Sequence, residues 1–175
     1  MVDTNTTSTP SSSAASRTVL LLLRVLTFVF LLIALILVAI DKETVESSIG
    51  EIEIKFKDIH AYRYMISTIV IGFAYNLLQL ALSIFPVVSG NRVLTGNGGY
   101  MFDFFGDKII SYFLLSGSAA GFGASEDMHR LFKAQDLPLN SFFEKGNASA
   151  GLLLIGFLFT AIASIFTSFA LPKKA

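Results

Sequence analysis

The sequence contains no cysteine and no tryptophan. Without thiols there is no disulfide framework, no thiolate metal site and no cysteine nucleophile. Without tryptophan, any aromatic girdle at a membrane surface falls to 17 Phe and 5 Tyr. Charge is scarce as well: Asp, Glu, Lys and Arg make up 15% of 175 residues, against roughly a quarter of a soluble domain. The 13 cations balance 13 acids, so the net charge is zero and the basic patch that a nucleic-acid partner requires is missing. HExxH, GxSxG, Walker A and GxGxxG spacings do not occur. His60 and His129 are the two histidines, each standing singly in a connecting segment with no acidic cluster at ligand spacing. No metal, no cofactor, no catalytic residue and no enzymatic activity are expected.

What the chain has in abundance is apolar surface, 53% of its residues at a mean hydropathy of +0.67. So short a chain cannot bury that much in a water-soluble core, and a bilayer is the solvent that suits it. A helix crosses the hydrocarbon in about 20 residues, and four stretches have that length: 19–40, 64–88, 104–124 and 148–171. The first carries one charge, Arg24, and the second and fourth carry none. The third reaches full length only with Asp107 and Lys108 counted inside it. The expected fold is an all-α membrane protein, an antiparallel four-transmembrane-helix bundle over residues 17–171. The first apolar run exceeds a signal-peptide core of roughly 7–15 residues, so it is expected to stay as the first helix. Residues 1–16, rich in Ser and Thr, read as a disordered tail, and 172–175 as a second short tail.

The connections differ in character. Residues 41–63 are charged, and Ile52, Ile54 and Phe56 alternate there with Glu51, Glu53 and Lys55, a period-2 pattern that predicts a short strand or hairpin. Gly90, Gly96, Gly98 and Gly99 predict a flexible loop over 89–103. Residues 125–147 are mixed, with a short interfacial helix expected over 127–134. Cations lie on both sides of the spans, so the positive-inside count leaves the orientation open. The sequons at Asn5 and Asn147 are expected to be silent, the second because it abuts a span.

Polar residues inside the spans fall on faces. At about 100° per residue, Thr68, Gly72, Tyr75, Asn76, Gln79 and Ser83 share one sector of the second helix. So do Asp107, Ser111, Ser118, Gly121 and Ser125 of the third, and Gly156, Thr160, Ala163 and Thr167 of the fourth. Gly117 and Gly121 add a GxxxG spacing. Between helices in lipid, small residues and side-chain hydrogen bonds supply the association, so Gly72, Asn76, Gln79, Gly117, Gly121 and Gly156 are the expected packing residues. The rival reading makes the polar face of the second helix the lining of a substrate or ion path. Arg24 and Asp107 stand apart as ionisable groups within spans, costly unless paired. The first and third spans run the same way, which sets both near one membrane face. Two readings stay open: a bidentate pair, or Arg24 and Lys108 snorkelling to headgroups while Asp107 caps its helix.

An Arg in the first span (LLLRVLTFVFLLIALILVA), the segment FKDIHAYRYMISTIVIGFAYNLLQ entering the second, and an Asp opening the third (GDKIISYFLLSGSAAGFGAS) resemble the plant CASP-like family. These are relatives of the Casparian strip membrane domain proteins and of the MARVEL tetraspans. The resemblance covers residues 17–171 and rests on Arg24, Asp107, Phe56, Ala61, Tyr64, Tyr75 and Gln79. It implies a plasma-membrane protein with cytoplasmic termini that forms homo- and hetero-oligomers with other CASP-like tetraspans among the membrane lipids. In the strip-forming branch such assemblies exclude diffusion and recruit wall-modifying enzymes. The resemblance also implies that the Arg and the Asp are shared positions, which favours the pair. The first extracellular loop, ESSIGEIEIKFKDIHAY, lacks the stretch of the strip-forming members, so the likeness is to a branch outside them. Claudins and tetraspanins, which need loop cysteines, are excluded.

Overall fold

Every apolar stretch continues into a helix longer than its hydropathy marks. The computed structural model describes residues 11–40, 42–47, 50–55, 59–89, 97–133 and 140–169, with side chains described within 18–40, 59–85, 101–131, 133 and 142–168. The order is α1 (Ser11–Ile40), β1 (Lys42–Ser47), β2 (Gly50–Lys55), α2 (His60–Ser89), α3 (Asn97–Lys133) and α4 (Asn140–Phe169). A chain in hydrocarbon must satisfy its backbone internally, which long unbroken helices do. Three of these helices are long and apolar enough to cross a membrane, over Thr18–Ile40, His60–Phe85 and Phe142–Ser168. The fourth, α3, falls short in apolar character because Asp103, Asp107 and Lys108 interrupt it. It nonetheless lies between α2 and α4, with Asp107 and its inner serines covered.

Several boundaries differ from expectation, and for one reason: polarity ends an apolar run without ending a helix. The helix α1 begins at Ser11, inside the expected tail, where Ala14 and Ala15 are strong helix formers. Residues 1–10 and 172–175, the rest of the expected tails, lie outside the described residues, as do 170 and 171 of the expected fourth span. Of the loop expected over 89–103, residues 90–96 lie outside the described residues, and the rest is helix: α2 ends at Ser89 and α3 starts at Asn97, taking in Gly98 and Gly99. The expected separate helix near 127–134 is the continuation of α3 to Lys133, through residues such as Glu126, Arg130 and Leu131 that favour helix. The predicted hairpin is present, with β1 antiparallel to β2 and Val45 opposite Ile52. Phe56 is outside the described residues.

Adjacent helices run antiparallel, and the packed pairs are α1 with α2, α2 with α3, α3 with α4, and α4 with α1. The result is a ring with α1 facing α3 across it. Buried positions recur at alternating spacings of three and four. They are Arg24, Thr27, Leu31, Ala34 and Val38 on α1, and Tyr62, Met65, Ile69, Gly72, Asn76 and Gln79 on α2. On α3 they are Asp107, Ser111, Leu114, Ser118, Gly121 and Ser125, and on α4 Leu153, Gly156, Thr160, Ala163 and Thr167. That period of 3.5 is the seam of a left-handed bundle.

Small residues set the closeness of the seams. A Cβ on Gly72 would stand 2.6 Å from Leu114 Cδ2. On Gly117 it would collide with Thr68 of α2 and stand 3.1 Å from Leu153 of α4, and on Gly121 it would collide with Met65 and stand 3.0 Å from Ala150. The GxxxG pair thus lies where α2, α3 and α4 converge. Gly156 is different: its nearest neighbour would be Leu31 Cδ2 at 3.4 Å, an ordinary contact. Overpacking costs about 1–3 kcal/mol, whereas Gly→Ala in an open helical position gains up to about 1 kcal/mol. Gly117→Val and Gly121→Val should therefore lower the melting temperature and folded yield in detergent, and Gly156→Ala should leave both unchanged or higher. Equal losses in all three would contradict this packing.

Candidate functional site

Arg24 comes from the second turn of the α1 span and Asp107 from α3, and both are buried, at 6% and 2% exposure. Arg24 Nη2 lies 3.3 Å from Asp107 Oδ2, forming a hydrogen-bonded ion pair between helices that are not neighbours in the ring. The other carboxylate oxygen accepts a 2.8 Å hydrogen bond from the Tyr75 hydroxyl. Tyr75 in turn accepts from Gln79 Nε2 at 2.7 Å, and Asn76 Nδ2 donates to the Arg24 backbone carbonyl at 2.8 Å. Tyr75, Asn76 and Gln79 occupy one α2 face because they lie one turn apart or adjacent, so one helix supports both partners of the pair.

Of the two readings left open by the sequence, the structure has the pair, through a single contact and not the bidentate geometry expected. Asp107 is no cap, since α3 begins ten residues earlier at Asn97. Arg24 is inward and does not snorkel. Lys108 faces outward, with its Nζ 5.5 Å from the centre of the Phe104 ring. Gly106, which sequence reasoning passed over, makes the arrangement fit: a Cβ there would stand 2.5 Å from the Tyr75 hydroxyl. Tyr75 was legible as a member of the polar sector, but its role between carboxylate and amide was not.

A second polar tier lies toward the opposite end. Tyr62 Oη and Ser125 Oγ are 2.8 Å apart, and Ser125 reaches the Phe143 carbonyl at 3.2 Å, linking α2, α3 and α4. Ser118 donates to the Ala150 carbonyl at 2.8 Å, and Ser149, the sequon serine, donates to the Ala34 carbonyl at 3.2 Å. Of the expected packing residues, Gly72, Asn76 and Gln79 gather at or beside the charge pair. Gly117 and Gly121 lie further along the α3 seam, and Gly156 lies against Leu31. The polar face that suggested a path is occupied, with Thr68 bonded to the Met65 carbonyl and Asn76 and Gln79 as above. The void beside it measures about 10 Å³, about the room of one water. Among the described residues there is no group of His, Asp or Glu that could hold a metal ion.

The Casparian strip membrane protein domain matches residues 13–159, which include Arg24, the α2 polar face and Asp107. The chain belongs to this family. It is 73% identical over 174 residues to CASP-like protein 4D1 of Glycine max, covering 99% of this chain and 98% of that one. CASP-like protein 4D1 of Ricinus communis is 48% identical over 86% of the chain and 89% of its own length. CASP-like protein 4D2 of Arabidopsis thaliana is 44% identical over 86% and 88%. No solved structure matches. The family resemblance seen in the sequence is thus shown, together with a multi-pass helical membrane protein whose relatives are from plants.

For this family member, removing one partner of the pair should be expensive. Breaking a buried ion pair costs about 3–5 kcal/mol because the other charge is left alone. Asp107→Ala should sharply reduce folded, monodisperse protein in detergent. Asp107→Asn should be nearly as damaging, since it keeps the bond from Tyr75 but still strands Arg24. Arg24→Leu combined with Asp107→Leu should recover much of the loss. Thermal melting of the four proteins checks this, and a wild-type melt for Asp107→Ala would refute the role of the pair.

Proposed function

We propose that the protein is a non-enzymatic plasma-membrane tetraspan that assembles with itself and with other CASP-like tetraspans to form or mark membrane subdomains, with both termini cytoplasmic. One observation carries this reading: most polar side chains of the spans turn into the bundle, where they bond one another or helix backbone, and the outward surface is largely apolar. Large side chains such as Phe105, Ile109, Phe113, Leu77, Leu78 and Ile165 face outward. On α3, Ser116, Ala119 and Gly123 also face outward, and open space lies over Gly123. Small residues on an outer face allow a second helix to approach closely. An interior closed to solute and an exterior suited to helix association fit a scaffold better than a conduit. The wider role is to organise a patch of membrane on which wall-modifying enzymes are guided locally. The departure of the first extracellular loop from the strip-forming branch supports a role outside the Casparian strip.

Crosslinking of the intact protein in native plant membranes, followed by mass spectrometry, tests the reading. The expected result is a ladder containing this chain and sister tetraspans. Stoichiometric capture of a transporter or enzyme without self-association would replace the scaffold with an accessory subunit.

A further inference from the structure

The Arg24 guanidinium offers five N–H donors, yet its side chain makes one hydrogen bond among the described residues, from Nη2 to Asp107. The residue is buried and lines the void of about 10 Å³, whose wall is polar at Thr27, Asn76, Asp107 and Thr160 and apolar at Ile110, Leu114 and Ala163. Unspent donors in so dry a place are costly. The remaining polar groups around the void have acceptor capacity left. Asn76 engages an amide hydrogen with the Arg24 carbonyl, which leaves its own oxygen uncommitted. Thr27 and Thr160 give their hydroxyl hydrogens to the carbonyls of Leu23 and Gly156, which leaves lone pairs on both oxygens.

We infer that this void is a binding site for a single structural water, which accepts from Arg24 and donates to oxygens such as those of Asn76 and Thr160. The chemistry selects the occupant. A void of this size with several polar groups in its wall takes one water with about three hydrogen bonds, whereas a wholly apolar void stays dry. Asp107 repels an anion, Arg24 repels a cation, and neither an ion with its hydration shell nor an organic solute fits the volume. The bound water changes the connectivity of the bundle. The direct hydrogen bonds of the charge pair tie α1, α2 and α3, while Thr160 of α4 bonds only its own helix. Through the water α4 joins the same network, which then holds all four helices at one level. This inference does not depend on the scaffold reading and stands or falls separately from it.

Thr167 supplies the control. It is buried on the same face of α4 and back-bonds to its own helix as Thr160 does, but it does not line the void. In full-length protein in lipid nanodiscs, Thr160→Val should melt several degrees below Thr167→Val, and Thr160→Ser, which keeps the oxygen, should return close to wild type. Equal melting of the two valine variants, or a higher melt for Thr160→Val, would mean a dry void and overturn the site. Should the variants not fold, the wild-type protein decides by itself. An experimental map fine enough to show ordered waters should place a peak within hydrogen-bond reach of an Arg24 nitrogen and Thr160 Oγ1. A clear guanidinium beside a featureless void would refute the inference.

Discussion

A charge in hydrocarbon must be met by its opposite, and the position of Arg24 imposes that demand on the whole bundle. A guanidinium about two turns inside the first span either reaches the headgroups or finds a carboxylate. Here it finds Asp107, on the helix diagonally across the ring. Meeting it fixes the rotation of α1 and α3 about their own axes, because each group must point at the bundle centre. It also fixes their relative depth, because the groups must lie level. Tyr75, Asn76 and Gln79 then fix α2 against both. The remaining seam positions continue the register set at that level by steps of three and four.

Much of the energy that holds the ring comes from close approach. Lipid is as apolar as leucine, so burial of apolar side chains between helices gains little. What distinguishes an inner face from an outer one is small size and hydrogen-bonding capacity. Gly72, Gly117 and Gly121 let neighbouring side chains press onto helix backbone, and Ser118 and Ser149 bond carbonyls of the adjoining helices. This inverts the soluble pattern: the large apolar side chains lie mostly outside and many of the hydroxyls inside.

That inversion explains what could be read from the sequence. A helical period laid over polar and small residues selects the inner faces correctly on α2, α3 and α4, because in lipid those residues have nowhere else to go. Matched depth makes Arg24 and Asp107 a natural pair, but geometry was needed to exclude capping, since the start of α3 is masked by Asp103, Gly98 and Gly99. The sequence marks Gly156 and Gly117 alike as inward glycines. Only the neighbours show that one meets an ordinary contact and the other a threonine and a leucine. Gly106 was invisible for the same reason: its value lies in the ring of Tyr75, a residue 31 positions away by the numbering. Residues that act through a neighbour on another helix leave no mark in a single-chain pattern.

The sequence separation of the charge pair has a consequence for synthesis. Arg24 precedes Asp107 by 83 residues, so α1 leaves the ribosome and meets the membrane before its counter-charge has been made. In that interval the guanidinium lacks its carboxylate, and an unpaired cation in hydrocarbon is costly unless it reaches headgroups or water. The last contacts of α1, including the bond from Ser149 to Ala34, await the fourth helix.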